Sequence, residues 1–123
     1  MSASFLSTDK AFMLTAATEH DFPSGPWTGF YQFEGSEYPQ QLMLRFVGGV
    51  ITGGGMDNLG EFTIKGSYEL DTREVRWTKN YQGGRSVVCR GFREGRGIWG
   101  TWSMPDVGHS GFHVWPRTHV FAA

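Results

Sequence analysis

Between Trp27 and Trp115 the chain predicts an all-β fold: an eight-stranded antiparallel up-and-down β-barrel carrying a short N-terminal helix or extension. Three observations carry that expectation. Polar and apolar residues alternate in short runs, and a glycine-containing turn breaks the alternation about every eight to twelve residues, as in consecutive antiparallel strands. Only one stretch has helix-compatible patterning. The turns are also too short for anything but nearest-neighbour pairing, which favours a closed barrel over a sandwich and leaves no strand edge exposed.

The elements follow in chain order. Ser7, Thr8 and Asp9 supply N-cap candidates ahead of a run from Lys10 to Ala17 that suits a short helix. Phe22-Pro23-Ser24-Gly25-Pro26 stops regular structure and reads as a linker. Residues 1–24 are thus expected as an extension, 25–117 as the barrel and 118–123 as a tail. The strands are read as Trp27 to Glu34, Tyr38 to Phe46, Val50 to Met56, Glu61 to Leu70, Glu74 to Tyr81, Ser86 to Arg93, Gly97 to Met104 and, after a longer loop from Pro105 to Ser110, Gly111 to Trp115. Residues two apart share a strand face. Leu42, Leu44 and Phe46 therefore point one way, as do Phe62, Ile64, Gly66 and Tyr68, and as do Val75, Trp77, Lys79 and Tyr81, with mostly polar residues between them.

Composition narrows the function classes. A chain of 123 residues fits one domain that needs no disulfide or metal staple, and 39% hydrophobic with 19% charged residues is a globular balance. The single cysteine, Cys89, excludes an internal disulfide and fits a reducing compartment or simple indifference to redox. The first twenty residues show no basic leader before a long apolar core, and no later run approaches a membrane span, so a cytoplasmic protein with no membrane partner is expected. A net charge of −1 carries no general nucleic-acid footprint. The closest basic grouping, Arg85, Arg90, Arg93 and Arg96, leaves single-stranded nucleic acid as a minor reading through neighbouring Phe92 and Trp99.

The candidate site is the inward polar set. Tyr31 shares a face with Trp27 and Phe33, Lys79 and Tyr81 follow Trp77, and Arg90 shares a face with Val88 and Phe92. An inward cation needs an acid or an anionic ligand, and no inward acid is evident in the pattern. The expected ligand is small and partly apolar, walled by Tyr31, Trp77, Tyr81 and Trp102, and a carboxylate or phosphate on an apolar body if Lys79 and Arg90 face inward; the competing placement is that Lys79 reaches out at the barrel rim and Arg90 belongs to the opposite face. The alternative is an interaction module that uses the outward aromatics Phe30, Trp99 and Trp115 for a partner or for a homo-oligomer.

Catalytic and metal chemistry find little support. His109 and His113 are spaced for a helix, which Pro105, Gly108, Gly111 and Pro116 forbid. Cys89 sits mid-strand with nothing to activate it. Glu61, Glu69 and Glu74 fall near strand ends. Asp57, after a glycine run, reads as a turn cap. No catalytic residue, metal or cofactor is expected.

Trp27-Thr28-Gly29-Phe30-Tyr31 and Gly97-Ile98-Trp99-Gly100-Thr101-Trp102 resemble the calycin barrels: avidins, lipocalins and fatty-acid-binding proteins. About two thirds of the chain also resembles a set of uncharacterised small bacterial barrel proteins built on Gly53-x-Gly55-x-Asp57-x-x-Gly60-x-Phe62-x-Ile64-x-Gly66, Trp77-x-Lys79-x-Tyr81 and Ile98-x-Gly100-x-Trp102. That second resemblance brings no activity with it. The first implies a cup whose mouth admits a small molecule and, because some calycin-like barrels hold haem through one late-strand histidine, a minor haem reading at His113. The chain departs from these families in lacking lipocalin disulfides, a two-helix lid between the first two strands, and assignable biotin contacts.

Overall fold

The computed structural model describes residues 16–117. Eight strands, β1 (Gly25–Phe33), β2 (Ser36–Val47), β3 (Val50–Asp57), β4 (Gly60–Tyr68), β5 (Glu74–Tyr81), β6 (Ser86–Glu94), β7 (Gly97–Met104) and β8 (Gly108–Pro116), pair antiparallel in sequence order. β1 pairs with β8, from Trp27↔Pro116 to Tyr31↔Phe112, and so closes the barrel. The expected helix falls, but for Ala16 and Ala17, outside the described residues, as does the 118–123 tail. No helix among the described residues is long and apolar enough to cross a membrane.

The tight turns explain the nearest-neighbour topology. Glu34 and Gly35 have φ of 49° and 83°, and Gly48 and Gly49 have 59° and 84°, the left-handed pairs that match the twist of two-residue hairpins. β8 starts at Gly108 rather than Gly111, because Met104↔Gly108 and Ser103↔His109 extend the ladder into the expected loop. On β3 the inner face is nearly bare. At Gly53 (φ 150°) a Cβ would lie 2.0 Å from the Met43 carbonyl oxygen, and at Gly55 it would strike the Phe62 ring. Glycine there lets β2 and β4 close around β3 and lets the Phe62 ring lie over it.

The two ends of the barrel differ. At the end bearing the β2–β3, β4–β5 and β6–β7 turns, residues 17–24 fold across the opening as a plug. Phe22 is buried against Phe46 (ring centroids 5.4 Å) and Tyr68 (4.9 Å), and Phe46 packs in turn on Trp27 (5.6 Å). Phe22, in the segment expected as a linker, is therefore part of the core. Its polar groups are matched to the barrel. Trp27 Nε1 donates to the Pro23 carbonyl at 2.9 Å, Phe46 N to Ser24 Oγ at 2.9 Å, Ala17 N to the Leu70 carbonyl at 2.8 Å, and Tyr68 Oη to Glu19 Oε1 at 2.8 Å. Asp21 caps the 3-10 turn Glu19–Asp21 by accepting from Thr18 N at 2.9 Å. Arg93, buried on the inner face of β6, donates to the carbonyls of Asp21 and Gly95 and so ties the plug to the wall.

Candidate functional site

The opposite end, ringed by the β1–β2, β3–β4, β5–β6 and β7–β8 turns, is open, and a cavity of about 300 Å³ runs inward from it. β5 climbs toward this mouth, so Trp77, Lys79 and Tyr81 occupy successive levels from floor to rim. Trp77, Cys89 and Phe112 form the floor, with the Trp77 and Phe112 rings 5.5 Å apart. Tyr31 and Trp102 stand edge to face at 6.2 Å in the wall, and Trp102 is fixed by donating Nε1 to the Gln32 carbonyl at 2.9 Å. Tyr38 stacks on Tyr31 at 5.3 Å, and Tyr31 Oη donates to Asn58 Oδ1, which locks β1 to the β3–β4 turn at the rim.

The decisive feature is the partner of Lys79. Its ammonium lies 2.8 Å from Asp57 Oδ2, with side chains 5% and 0% exposed respectively. It also donates to Gln40 Oε1 at 3.2 Å and sits 4.4 Å from the centre of the Phe62 ring. Three donors thus meet a carboxylate, an amide oxygen and a π-face, which is the full capacity of an ammonium. Asp57 is equally engaged. Oδ2 also accepts from Tyr81 Oη at 2.5 Å, and Oδ1 accepts from Leu59 N at 2.8 Å, the turn cap expected from the sequence. The expectation that no acid faces inward is corrected: Ile51, Gly53, Gly55 and Asp57 form one inner row, and Asp57 serves the turn and the ion pair at once. Gln40 likewise continues the inner row of Leu42, Leu44 and Phe46.

Burial holds Tyr31, Tyr81 and Cys89 in their neutral forms. Desolvation, reinforced by the Asp57 charge, pushes the Tyr31 phenol up to about 12, and burial followed by the hydrogen bond to Asp57 raises Tyr81 well above the usual phenol value. Burial pushes the Cys89 thiol up to about 12, so no thiolate nucleophile is offered at neutral pH. Toward the floor the cavity is an apolar and aromatic space whose one ion pair is internally closed. Arg85 stands exposed at the rim.

Tyr31, Trp77, Lys79, Tyr81 and Trp102 are brought together around the cavity. Arg90 is not. The inner row of β6 is Val87, Cys89, Gly91 and Arg93, whereas Arg90 projects outward and pairs with Glu74 at 3.1 Å. Adjacent Val87 and Val88 make both faces of β6 apolar at its start, so alternation alone cannot choose between them. The four arginines do not form one basic groove either: Arg85 is at the rim, Arg93 is inside the plugged end, Arg90 faces Glu74, and Arg96 lies 4.3 Å over the Trp115 ring. His113 faces outward, since Phe112 and Val114 are the inner residues of β8, so no late-strand histidine enters the cavity to hold a haem. No cluster of three or more His, Cys, Asp or Glu suited to a metal ion occurs among the described residues.

The outward aromatics also meet. Directly opposed pairs Phe92↔Trp99, Trp99↔His113 and Phe30↔His113 run across β6, β7, β8 and β1 as a single row. His113 stacks on Trp99 at 3.4 Å and 8° and touches Trp115 at 4.8 Å, while Phe92 and Trp99 remain 48% and 50% exposed. Comparison with protein-family models, curated proteins and solved structures finds no match for this chain. The eight-stranded closed antiparallel barrel is compatible with a calycin-like architecture.

Proposed function

We propose that the protein is a non-catalytic binding barrel that takes a small, predominantly apolar ligand into its lumen. The observation that supports this most is the contrast within one core: a cavity of about 300 Å³, at the small end of ligand-site volumes, is lined by Trp77, Phe112, Trp102, Tyr31 and Val87 and reaches the rim of the unplugged end at Asn58, Arg85 and Val107. A barrel this small has enough side chains to fill its interior. Tyr31 and Asn58, and Gln40, Lys79 and Tyr81 with Asp57, are already joined by hydrogen bonds, so they shape the pocket rather than activate a substrate. Titration with N-phenyl-1-naphthylamine, a neutral fluorescent probe, should give saturable binding. Val87→Phe, which projects a ring into the cavity, should abolish it. Absence of saturable binding, or binding indifferent to Val87→Phe, would overturn the lumen reading.

A second reading, self-association through the outer aromatic row, rests on the alignment of Phe92, Trp99, His113 and Phe30 across four strands. The Arg90–Glu74 pair at the Phe92 end of the row offers both charges, which a two-fold contact between copies can satisfy reciprocally. Sedimentation at high micromolar concentration should show a dimer that Trp99→Lys converts to monomer. A wild-type monomer under those conditions removes this reading.

A further inference from the structure

We infer that the lumen ligand is amphipathic: its apolar body fills the cavity while a carboxylate stays at the mouth, paired with the guanidinium of Arg85 and the side-chain amide N–H groups of Asn58. The inference rests on the lumen reading above and names the class of ligand that the lumen takes. Two observations carry it. First, charge along the cavity is closed at one level and open at another. The Lys79 ammonium is engaged by Asp57, Gln40 and Phe62, so the deeper level offers no free cation. Arg85 is the opposite case. It lines the same cavity at the start of β6, it is exposed, and its guanidinium has no hydrogen-bond or ion-pair partner among the described residues. The acids of this end do not answer it from within the cavity: Glu34 and Asp106 are exposed in turns, Glu37 pairs with Gln32 on the outer row of β2, and none of the three lines the space.

Second, the amides of the lining have their acceptors engaged. Gln40 Oε1 accepts from Lys79 and Asn58 Oδ1 accepts from Tyr31, so each amide has its NH2 donors left over. Asn58 stands in the β3–β4 turn, the neighbour around the mouth of the β5–β6 turn that leads into Arg85, whereas the β7–β8 side contributes Met104 and Val107. One lip is therefore rich in donors and the other apolar. Such a lip complements a group that only accepts and is charged, and a carboxylate matches the planar fork of a guanidinium. At the rim the carboxylate also keeps part of its hydration, which removes the cost that would exclude it from the aromatic floor. A neutral head would leave Arg85 unpaired, and an ammonium would meet it as a like charge.

Three probes that share one body separate the heads: 4-(2-naphthyl)butanoate, 4-(2-naphthyl)butan-1-ol and 4-(2-naphthyl)butylammonium. By isothermal titration at low salt the carboxylate should bind about tenfold tighter than the alcohol, the lower end of what a charge-assisted hydrogen bond contributes, and the ammonium no tighter than the alcohol. Arg85→Gln, at an exposed position outside the core, should bring the carboxylate to within about twofold of the alcohol and leave the alcohol unchanged. In the wild-type protein, without reliance on any variant, raising NaCl from about 0.01 M to about 1 M should weaken the carboxylate severalfold and spare the alcohol, since the screening length falls from about 30 Å to about 3 Å. Equal binding of carboxylate and alcohol would overturn the anionic head and leave the lumen reading standing, and tighter binding of the ammonium would overturn it in favour of the acids of the mouth turns. A carboxylate preference that survives Arg85→Gln would overturn the rim site, and its loss in Lys79→Met would then place the anion at the inner pair. Failure of all three probes to bind would bring down the lumen reading itself.

Discussion

The two ends of this barrel start from the same alternating strands and finish in opposite ways. At the plugged end Phe22, Phe46, Tyr68 and Trp27 interlock, and the backbone of the crossing segment is tied to the barrel at Ala17, Pro23 and Asp21, the last through Arg93. At the open end the inner rows carry Gln40, Asp57, Lys79 and Tyr81, which spend their hydrogen bonds on one another and hold the walls apart instead of filling the space. One end exchanges solvent for packing. The other exchanges packing for a defined cavity, and the buried ion pair is the structural means of doing so. Conformational specificity as the role of such a pair is a hypothesis, and the pair's own energetics provide its test.

The largest expected effect is at the plug. Phe22→Ala removes a ring held between two others and should cost about 3 to 5 kcal/mol in urea denaturation, the usual range for a buried phenylalanine. If the ends are independent, naphthylamine binding to the folded variant should persist below the transition. A loss under about 1 kcal/mol would mean that the plug is a loose cover rather than part of the core.

Next comes the pair that frames the cavity. Lys79→Met leaves Asp57 buried without its cation. It should cost about 3 kcal/mol, the lower end of the range for breaking a buried pair, because Tyr81 and the Leu59 amide still donate to the carboxylate. Adding Asp57→Asn should recover much of that loss. Thermal or urea unfolding of the single and double variants checks both statements. A neutral or stabilising Lys79→Met would show that Lys79 is poorly satisfied in the folded protein, which would reopen an anionic ligand at Lys79 itself and blur the contrast between the ends.

The fold was legible because each strand repeats its signal. Strand order, the inner rows of β2, β4 and β5, and even the outer placement of Phe30, Trp99 and Trp115 follow from period-two alternation. What escaped did so for local reasons. The glycines of β3 carry no hydropathy, so the row that delivers Asp57 opposite Lys79 is invisible unless one counts by twos from Ile51. On β6, Val87 and Val88 are equally apolar, and Arg93 rather than Arg90 proves to be the inner arginine because its partners belong to the plug, far away in sequence. Pro23 and Gly25 advertise irregular backbone, and irregular backbone does not reveal that Phe22 beside it is core. Most of the residues that line the cavity were thus legible, but the acid that pairs with Lys79 was not, since charge balance inside a barrel depends on which rows face one another.

The smallest expected effect tests the outer skin over the plugged end, where His113 lies under Trp99 and beside Trp115, with its Nε2 lacking a hydrogen-bond partner. Burial first, and the Arg96 charge second, hold its pKa below the usual imidazole value. The unfolded chain therefore takes up the proton more readily than the folded one. Folding stability should be fully present above about pH 6.5, decline as pH falls below that value, and level off once pH passes the depressed pKa of the folded state. The decline cannot exceed about 1.4 kcal/mol per pH unit for one proton. Urea midpoints at pH 7.5 and 5.5 should differ in the wild-type protein and differ less in His113→Phe, which keeps a ring against Trp99 but cannot titrate. A wild-type protein that is more stable at the lower pH would mean that His113 is charged in the folded state and held by an acid. In that case the outer row would be a polar contact surface, and self-association through it would have to rest on charge instead of on exposed aromatic area.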